Sequence, residues 1–231
     1  MGANDVAVLY SGGLDSAVLV ASEARNAVVH PLYVSAGLAW EAEERGVAAA
    51  ILESLPFAGR VRAMTALEFT VRDLYPATHW ALTGTPPAYD TPDEDVYLAG
   101  RNLVLITKGA IYCARHGIRR LVLGPLAGNP FPDARPEFLA AMSAAVSLGL
   151  DHAIEATAPF SELHKEDVIR LGLDLGVPLE RTLSCMNPGD GVHCGACSKC
   201  RERQQAFAAA GVVDRTVYRT ARRSNTRTPS M

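Results

Sequence analysis

Short apolar runs alternate with longer stretches of mixed polarity along most of the chain. Residues 6–10, 27–34, 60–66, 120–124 and 153–157 are rich in Val, Leu, Ile and Ala and read as short strands. Residues 17–21, 39–55, 103–116, 137–148 and 161–175 read as helices lying between or beyond them. Strand followed by helix, repeated, predicts an α/β fold with a parallel sheet of about five strands flanked by helices. In such sheets ligands bind beyond the carboxyl ends of the strands. The turn after residue 10 and the segment after Leu123 should therefore face one crevice.

The pattern breaks between residues 75 and 99, where Pro76, Gly84, Pro86, Pro87 and Pro92 punctuate polar residues. This reads as a long loop, either a cover over a site or a passive connection. After Asp214 the chain carries Arg215, Arg219, Arg222, Arg223 and Arg227 with no acidic residue. A solvated terminus is the expected reading there, ahead of an RNA-binding arm.

The first turn carries the most chemistry. Residues 11–16 read Ser-Gly-Gly-Leu-Asp-Ser, squeezed between a buried strand and an apolar helix. A helix starting there aims its free N–H groups and positive dipole end into the loop, which suits an anion. Gly12 and Gly13 allow positive φ and leave room for a close ligand, while the Ser11 and Ser16 hydroxyls add donors. Packing alone can also place glycines in such a turn. The spacing is neither that of a P-loop nor of a dinucleotide fingerprint, and it lacks a nucleophile elbow.

With 231 residues, 48% hydrophobic and 20% charged, the chain can bury a substantial core. A formal charge of −3 gives no overall attraction to nucleic acid or anionic lipid. No secretory leader and no run of about 18 apolar residues is evident, so a soluble cytoplasmic protein without membrane association is expected. Cys185, Cys194, Cys197 and Cys200 follow the pattern C-x8-C-x2-C-x2-C, which suits tetrahedral Zn2+ in a closed structural site. An iron–sulfur cluster is the competing reading, disfavoured because no Pro follows the last cysteine. His193 fits the spacing less well than Cys194, and a second supporting role or the surface is expected for it. Cys113 reads as a buried thiol without a role.

The turn matches the S-G-G-x-D-S loop of the ATP-pyrophosphatase enzymes. Together with "AGRNLVLI" (99–106), "FPDARPEF" (131–138), "LHKEDVIRLG" (163–172), the cysteine run and "RERQQAF", it resembles the 7-cyano-7-deazaguanine synthases of queuosine precursor biosynthesis. That resemblance implies a Rossmann-like domain over residues 1–183, a zinc subdomain over 184–214 and a basic tail over 215–231. It further implies an adenylate-forming ligase that uses ATP, Mg2+ and ammonia to convert 7-carboxy-7-deazaguanine towards a nitrile, and a homodimer. Tyr10, Ser11, Gly12, Gly13, Leu14, Asp15 and Ser16 would bind ATP. Lys165 would stabilise departing pyrophosphate, Arg101 would hold a phosphate or carboxylate oxygen, and Asp15 would serve Mg2+ or cap the helix. Asn102, Phe131, Asp133 and Arg135 would meet the base.

Two family segments differ. "SAGLAWEAEE" stands where relatives carry Gly-Gln-Arg-His, and "PLAGNPFPDAR" is shorter than the usual segment, with Phe131 for a Tyr and Ala134 for a Cys. A buried polar pocket discriminates by which ligands leave its groups unpaired, so these changes bear on the base end. The alternatives are a paralogue that stops at the amide or passes the acyl group to another amine, such as one on a protein, and a zinc-ribbon nucleic-acid binder without catalysis.

Overall fold

The computed structural model describes residues 4–220. Strands β1 (Asp5–Leu9), β2 (Val28–Ser35), β3 (Thr65–Glu68), β4 (Arg120–Val122) and β5 (Glu155–Thr157) form one sheet in the order β3-β2-β1-β4-β5. Every pairing is parallel. The helices are α1 (Leu14–Ala24), α2 (Glu41–Leu52), α3 (Trp80–Thr83), α4 (Arg101–His116), α5 (Pro136–Leu150), α6 (Lys165–Asp174) and α7 (Ser198–Ala210). Strand order reverses at β1, which has β2 on one side and β4 on the other, so a crevice opens at its carboxyl end.

Burial explains the layering. Both faces of β1 are covered, with Val6 and Val8 packed with α1, α2 and α6 and Ala7 and Leu9 packed with α4 and α5. That is why β1 reads as continuously apolar. A third cluster gathers Leu38, Trp40, Val71, Ala81 and Leu98 around Cys185, Cys194, Cys197 and Cys200. The cysteine region thus shares its core with residues from the first half of the chain.

Three sequence expectations need correction. The third strand lies at Thr65–Glu68 rather than 60–66, because Val61 makes only a single bridge to Val29 and, with Met64, lends its side chain to the core. The stretch 75–99 contains α3 and a 3-10 turn at Asp93–Val96, with Ala81, Val96 and Leu98 buried beneath it. Arg201 donates to Tyr89 O and Thr91 O, both at 2.9 Å, and pins this stretch to α7. Residues 215–220 also pack: Arg219 N donates to His193 O at 2.8 Å and Thr220 N to Cys194 O at 3.2 Å. Arg222, Arg223 and Arg227 lie outside the described residues. No described helix is long and apolar enough to cross a membrane.

Candidate active site and four-cysteine centre

The turn after β1 is braced by its own serines. Ser11 N donates to Ser16 Oγ at 3.2 Å, Ser16 Oγ donates to Gly13 O at 3.1 Å, and Gly13 N donates to Ser11 Oγ at 3.3 Å. The two glycines do different jobs, which the sequence did not separate. Gly12 has φ +76°, and a Cβ there would stand 2.7 Å from Ala48 Cα, so its missing side chain clears helix α2 and not a ligand. Gly13 caps α1 with φ −70° and ψ 160°, not a positive φ, and it lines the crevice. Beyond it the first N–H groups of α1 have no partners inside the helix, and Ser11, Gly13, Leu14 and Asp15 at that helix end line the crevice. Tyr10 is buried and donates its hydroxyl to Ala48 O at 2.9 Å, a further tie between the turn and α2.

Asp15 does not cap α1. Its Oδ2 accepts from Lys165 Nζ at 2.7 Å, while its Oδ1 is buried without a hydrogen-bond partner among the described residues. Lys165, the first residue of α6, also meets Glu202 Oε1 at 2.7 Å, and Lys199 Nζ meets Glu202 Oε2 at 2.7 Å. Charges therefore alternate along the wall. Burial disfavours the Lys165 ammonium, yet attraction to Asp15 and Glu202 prevails and holds its pKa above the ordinary lysine value. Burial likewise opposes the Glu202 carboxylate, and the two lysines more than offset it, holding that pKa below the usual range.

Arg101 and Asn102, at the start of α4 just after its N-cap Gly100, line the same crevice. Asp133, buried, accepts from Asn102 N at 3.2 Å and from Asn102 Nδ2 at 3.3 Å, so it holds the helix start in place. Arg101 Nε is buried with no hydrogen-bond partner among the described residues. Phe131 stacks on Tyr97 with ring centroids 5.0 Å apart. Arg135 is not with them: it is exposed at the start of α5 and does not line the crevice.

The crevice has two compartments of ≈ 410 Å³ and ≈ 260 Å³. The larger reaches from Lys165 and Glu202 to the stacked pair Trp40 and Trp80, whose centroids lie 5.8 Å apart. The smaller lies over the ends of β1 and β2, beside Tyr10, Ser16 and Tyr33. Sequence reasoning gave no role to Glu44, Lys199, Glu202 or Arg203, all of which line the larger compartment. Arg203 is buried and donates to Thr182 Oγ1, Thr216 Oγ1 and Leu179 O, joining α7 to two other segments. The available signals were the three acids Glu41, Glu43 and Glu44 in the segment that departs from the family, and the charged residues enclosing the last cysteine. Glu41 accepts from Ser35 Oγ at 2.5 Å, Ala36 N at 2.7 Å and Gly37 N at 3.0 Å, so it shapes the turn after β2.

The four cysteine sulfurs lie within 4.8 Å of one another, with Cys197 and Cys200 at 3.6 Å, Cys194 and Cys200 at 3.9 Å, and Cys185 and Cys197 at 4.0 Å. A zinc ion about 2.3 Å from each of four tetrahedral sulfurs would space them about 3.8 Å apart, so the cluster fits such an ion. Asn187 N and Cys194 N each approach Cys185 Sγ at 3.3 Å, as donors that favour a thiolate. His193 is outside the cluster but not on the surface: it is buried and accepts from Ser184 N at 3.1 Å through Nε2. Burial next to Arg203 lowers its pKa to about 3, which keeps it neutral. Cys113 is buried on the other side of the sheet.

The family model of queuosine biosynthesis protein QueC matches residues 5–211. The chain belongs to this family. Its QueC relatives include the 7-cyano-7-deazaguanine synthase of Anaeromyxobacter dehalogenans, 34% identical over 221 residues, covering 91% of this chain and 94% of that protein. The protein of the same name from Archaeoglobus fulgidus is 33% identical, covering 90% of this chain and 87% of its own length. That of Methanospirillum hungatei is 30% identical, covering 91% and 98%.

Proposed function

We propose that this QueC family member is an ATP-dependent carbon–nitrogen ligase acting on the carboxylate of 7-carboxy-7-deazaguanine. In this reading the carboxylate displaces pyrophosphate from the α-phosphate of ATP, and ammonia then displaces AMP to give the amide on the way to 7-cyano-7-deazaguanine. The observation that carries it is the meeting of the α1 N-terminus, Lys165 and Arg101 around one crevice, the donor set a departing pyrophosphate needs. Gly13 leaves backbone room for the phosphates, and Lys165, held cationic by Asp15 and Glu202, stabilises negative charge without having to acquire a proton. Arg101 offers its planar fork, one nitrogen of which is otherwise unpaired.

Mg2+ would neutralise phosphate charge, and the unpartnered Asp15 Oδ1 is a carboxylate oxygen suited to hold it. Zn2+ on Cys185, Cys194, Cys197 and Cys200 would be structural, since four protein ligands leave no open position. The aromatic faces of Trp40, Trp80, Tyr97 and Phe131 supply walls for a flat base. The relatives are named for synthesis of 7-cyano-7-deazaguanine, the product towards which this reading runs. The test is incubation of the zinc-loaded protein with Mg-ATP, 7-carboxy-7-deazaguanine and ammonia, with mass spectrometry of the base and assay of AMP and pyrophosphate. Amide or nitrile accompanied by AMP and pyrophosphate is the expected result, and no AMP dependent on the acid would overturn the reading.

A further inference from the structure

Side chains that line both compartments stand where the two join, within reach of a reactant in either. Three titratable side chains line both: Asp15, Glu44 and Arg101. An amine that attacks an acyl carbon must lose a proton as the carbon–nitrogen bond forms, so a base is needed at that junction. Arg101 cannot serve, since a guanidinium does not deprotonate in proteins. Asp15 is engaged through Oδ2 with Lys165 at 2.7 Å, and its Oδ1 is the oxygen assigned above to Mg2+. Glu44 is left, on the inward side of α2, with Oε2 accepting from Tyr33 OH at 2.9 Å.

We propose that Glu44 is the general base of the amination step, taking the proton from the amine nitrogen as it displaces AMP. The proposal rests on the ligase reading above. The amine lone pair forms the C–N bond, the acyl C–O bond to phosphate breaks with its electron pair leaving on AMP, and the N–H proton passes to the Glu44 carboxylate. Solvent entering after release of AMP takes the proton away.

The surroundings suit that task. Glu44 is faced by Tyr33 from β2, Arg101 from α4 and Glu41 from its own helix. Burial raises its pKa, the Arg101 charge and the Tyr33 hydrogen bond restrain the rise, and Glu41 adds to it, leaving the group at about 7. A base poised there is half-available near neutrality and strong enough to accept a proton. An ordinary surface glutamate would be a much weaker acceptor.

The experiment separates the two steps in the zinc-loaded protein with Mg-ATP and 7-carboxy-7-deazaguanine. Adenylation is read by acid-dependent exchange of labelled pyrophosphate into ATP, and amination by amide formation with ammonia over pH 5.5–9. For Glu44→Gln the expected result is exchange that persists with amide formation slowed by about 10²–10⁴-fold. The ratio of wild-type to variant rate should rise through about pH 7, following the Glu44 carboxylate. Protonation of ammonia is common to both proteins and cancels in that ratio. Tyr33→Phe removes a donor that favours the carboxylate, so it should move the rise to higher pH while leaving exchange in place. Equal amide formation by Glu44→Gln and wild type, or a ratio independent of pH, overturns the assignment of Glu44. Absence of acid-dependent exchange in the wild type itself overturns the ligase reading instead.

Discussion

Lys165 Nζ and Asp15 Oδ2 lie 2.7 Å apart although 150 residues separate them in sequence. Each comes from the first turn of a helix, α1 or α6, so their pairing brings two helix N-termini to one place. If that ammonium serves departing pyrophosphate, Lys165→Ala should slow acid-dependent AMP formation by about 10²–10³-fold. Metal content and far-ultraviolet circular dichroism should stay as in the wild type. A variant that keeps its rate would remove Lys165 from the chemistry.

Gly12→Ala addresses the turn rather than the ligand. The added methyl would meet Ala48 Cα at 2.7 Å and sit on a backbone of φ +76°. Steric strain and overpacking together should lower unfolding free energy by about 2–4 kcal/mol. Denaturant midpoints measure this directly, and a loss below about 0.5 kcal/mol, the size of an ordinary surface change, would contradict the close approach of α2.

Acid should weaken the Lys165–Glu202–Lys199 chain. Glu202 has its folded pKa depressed, so its contribution to stability is present above the unfolded value of 4.5 and is lost as pH falls towards the folded one. Lys165 has its pKa raised, so its contribution is present below 10.5 and fades only as pH rises through the raised value. Near neutrality both are intact. Glu202→Gln should therefore be less stable than wild type at pH 7, with the difference narrowing below pH 4.5. Chemical unfolding at a series of pH values checks this, and a difference constant with pH would deny the depressed carboxyl.

Removal of metal should loosen the segment that carries the four sulfurs. Inductively coupled plasma mass spectrometry should find one zinc per chain, and Cys197→Ser should reduce it. Cys197 also bridges to Ala88 in the stretch over the crevice. Limited proteolysis of the metal-depleted protein should therefore cut first within residues 75–99 and 185–200. Wild-type resistance after complete chelation would make the cluster dispensable to the fold.

The chain has two tryptophans, and both stand at the larger compartment, stacked with rings 8° from parallel. Tryptophan emission is thus a reporter of that space alone. Titration with a ligand that fills it should shift or quench the emission, and Trp80→Phe should change the amplitude without abolishing saturation. No change at saturating Mg-ATP plus 7-carboxy-7-deazaguanine would place the base elsewhere.

Much of the architecture was legible because periodicity is local. The strand at β1 and helices such as α4 carry their pattern in adjacent residues, and the cysteine spacing announces its cluster. What could not be read depends on contacts distant in sequence. Nothing near Gly12 says that Ala48 will stand over it, and nothing near Asp15 says that Lys165 will neutralise it. Helix α7 was hidden for another reason: its cysteine and charged residues serve the four-cysteine cluster and the crevice, so few positions remain to show an apolar stripe. Arg135 was placed wrongly since its neighbour Asp133 turns inward while the chain enters α5 extended, leaving the arginine outside.

Glu202 sits on the last described helix, whereas the turn it completes lies on the first. Synthesis proceeds from the N-terminus, and early segments begin to fold before late ones are made. A nascent chain ending before Ser198 would hold the glycine turn, Arg101 and Lys165, with no Glu202 to fix the ammonium and no Arg203 to lock the floor. The ribosome therefore releases the parts of the site long before the site itself, which is complete only once the last described helix docks.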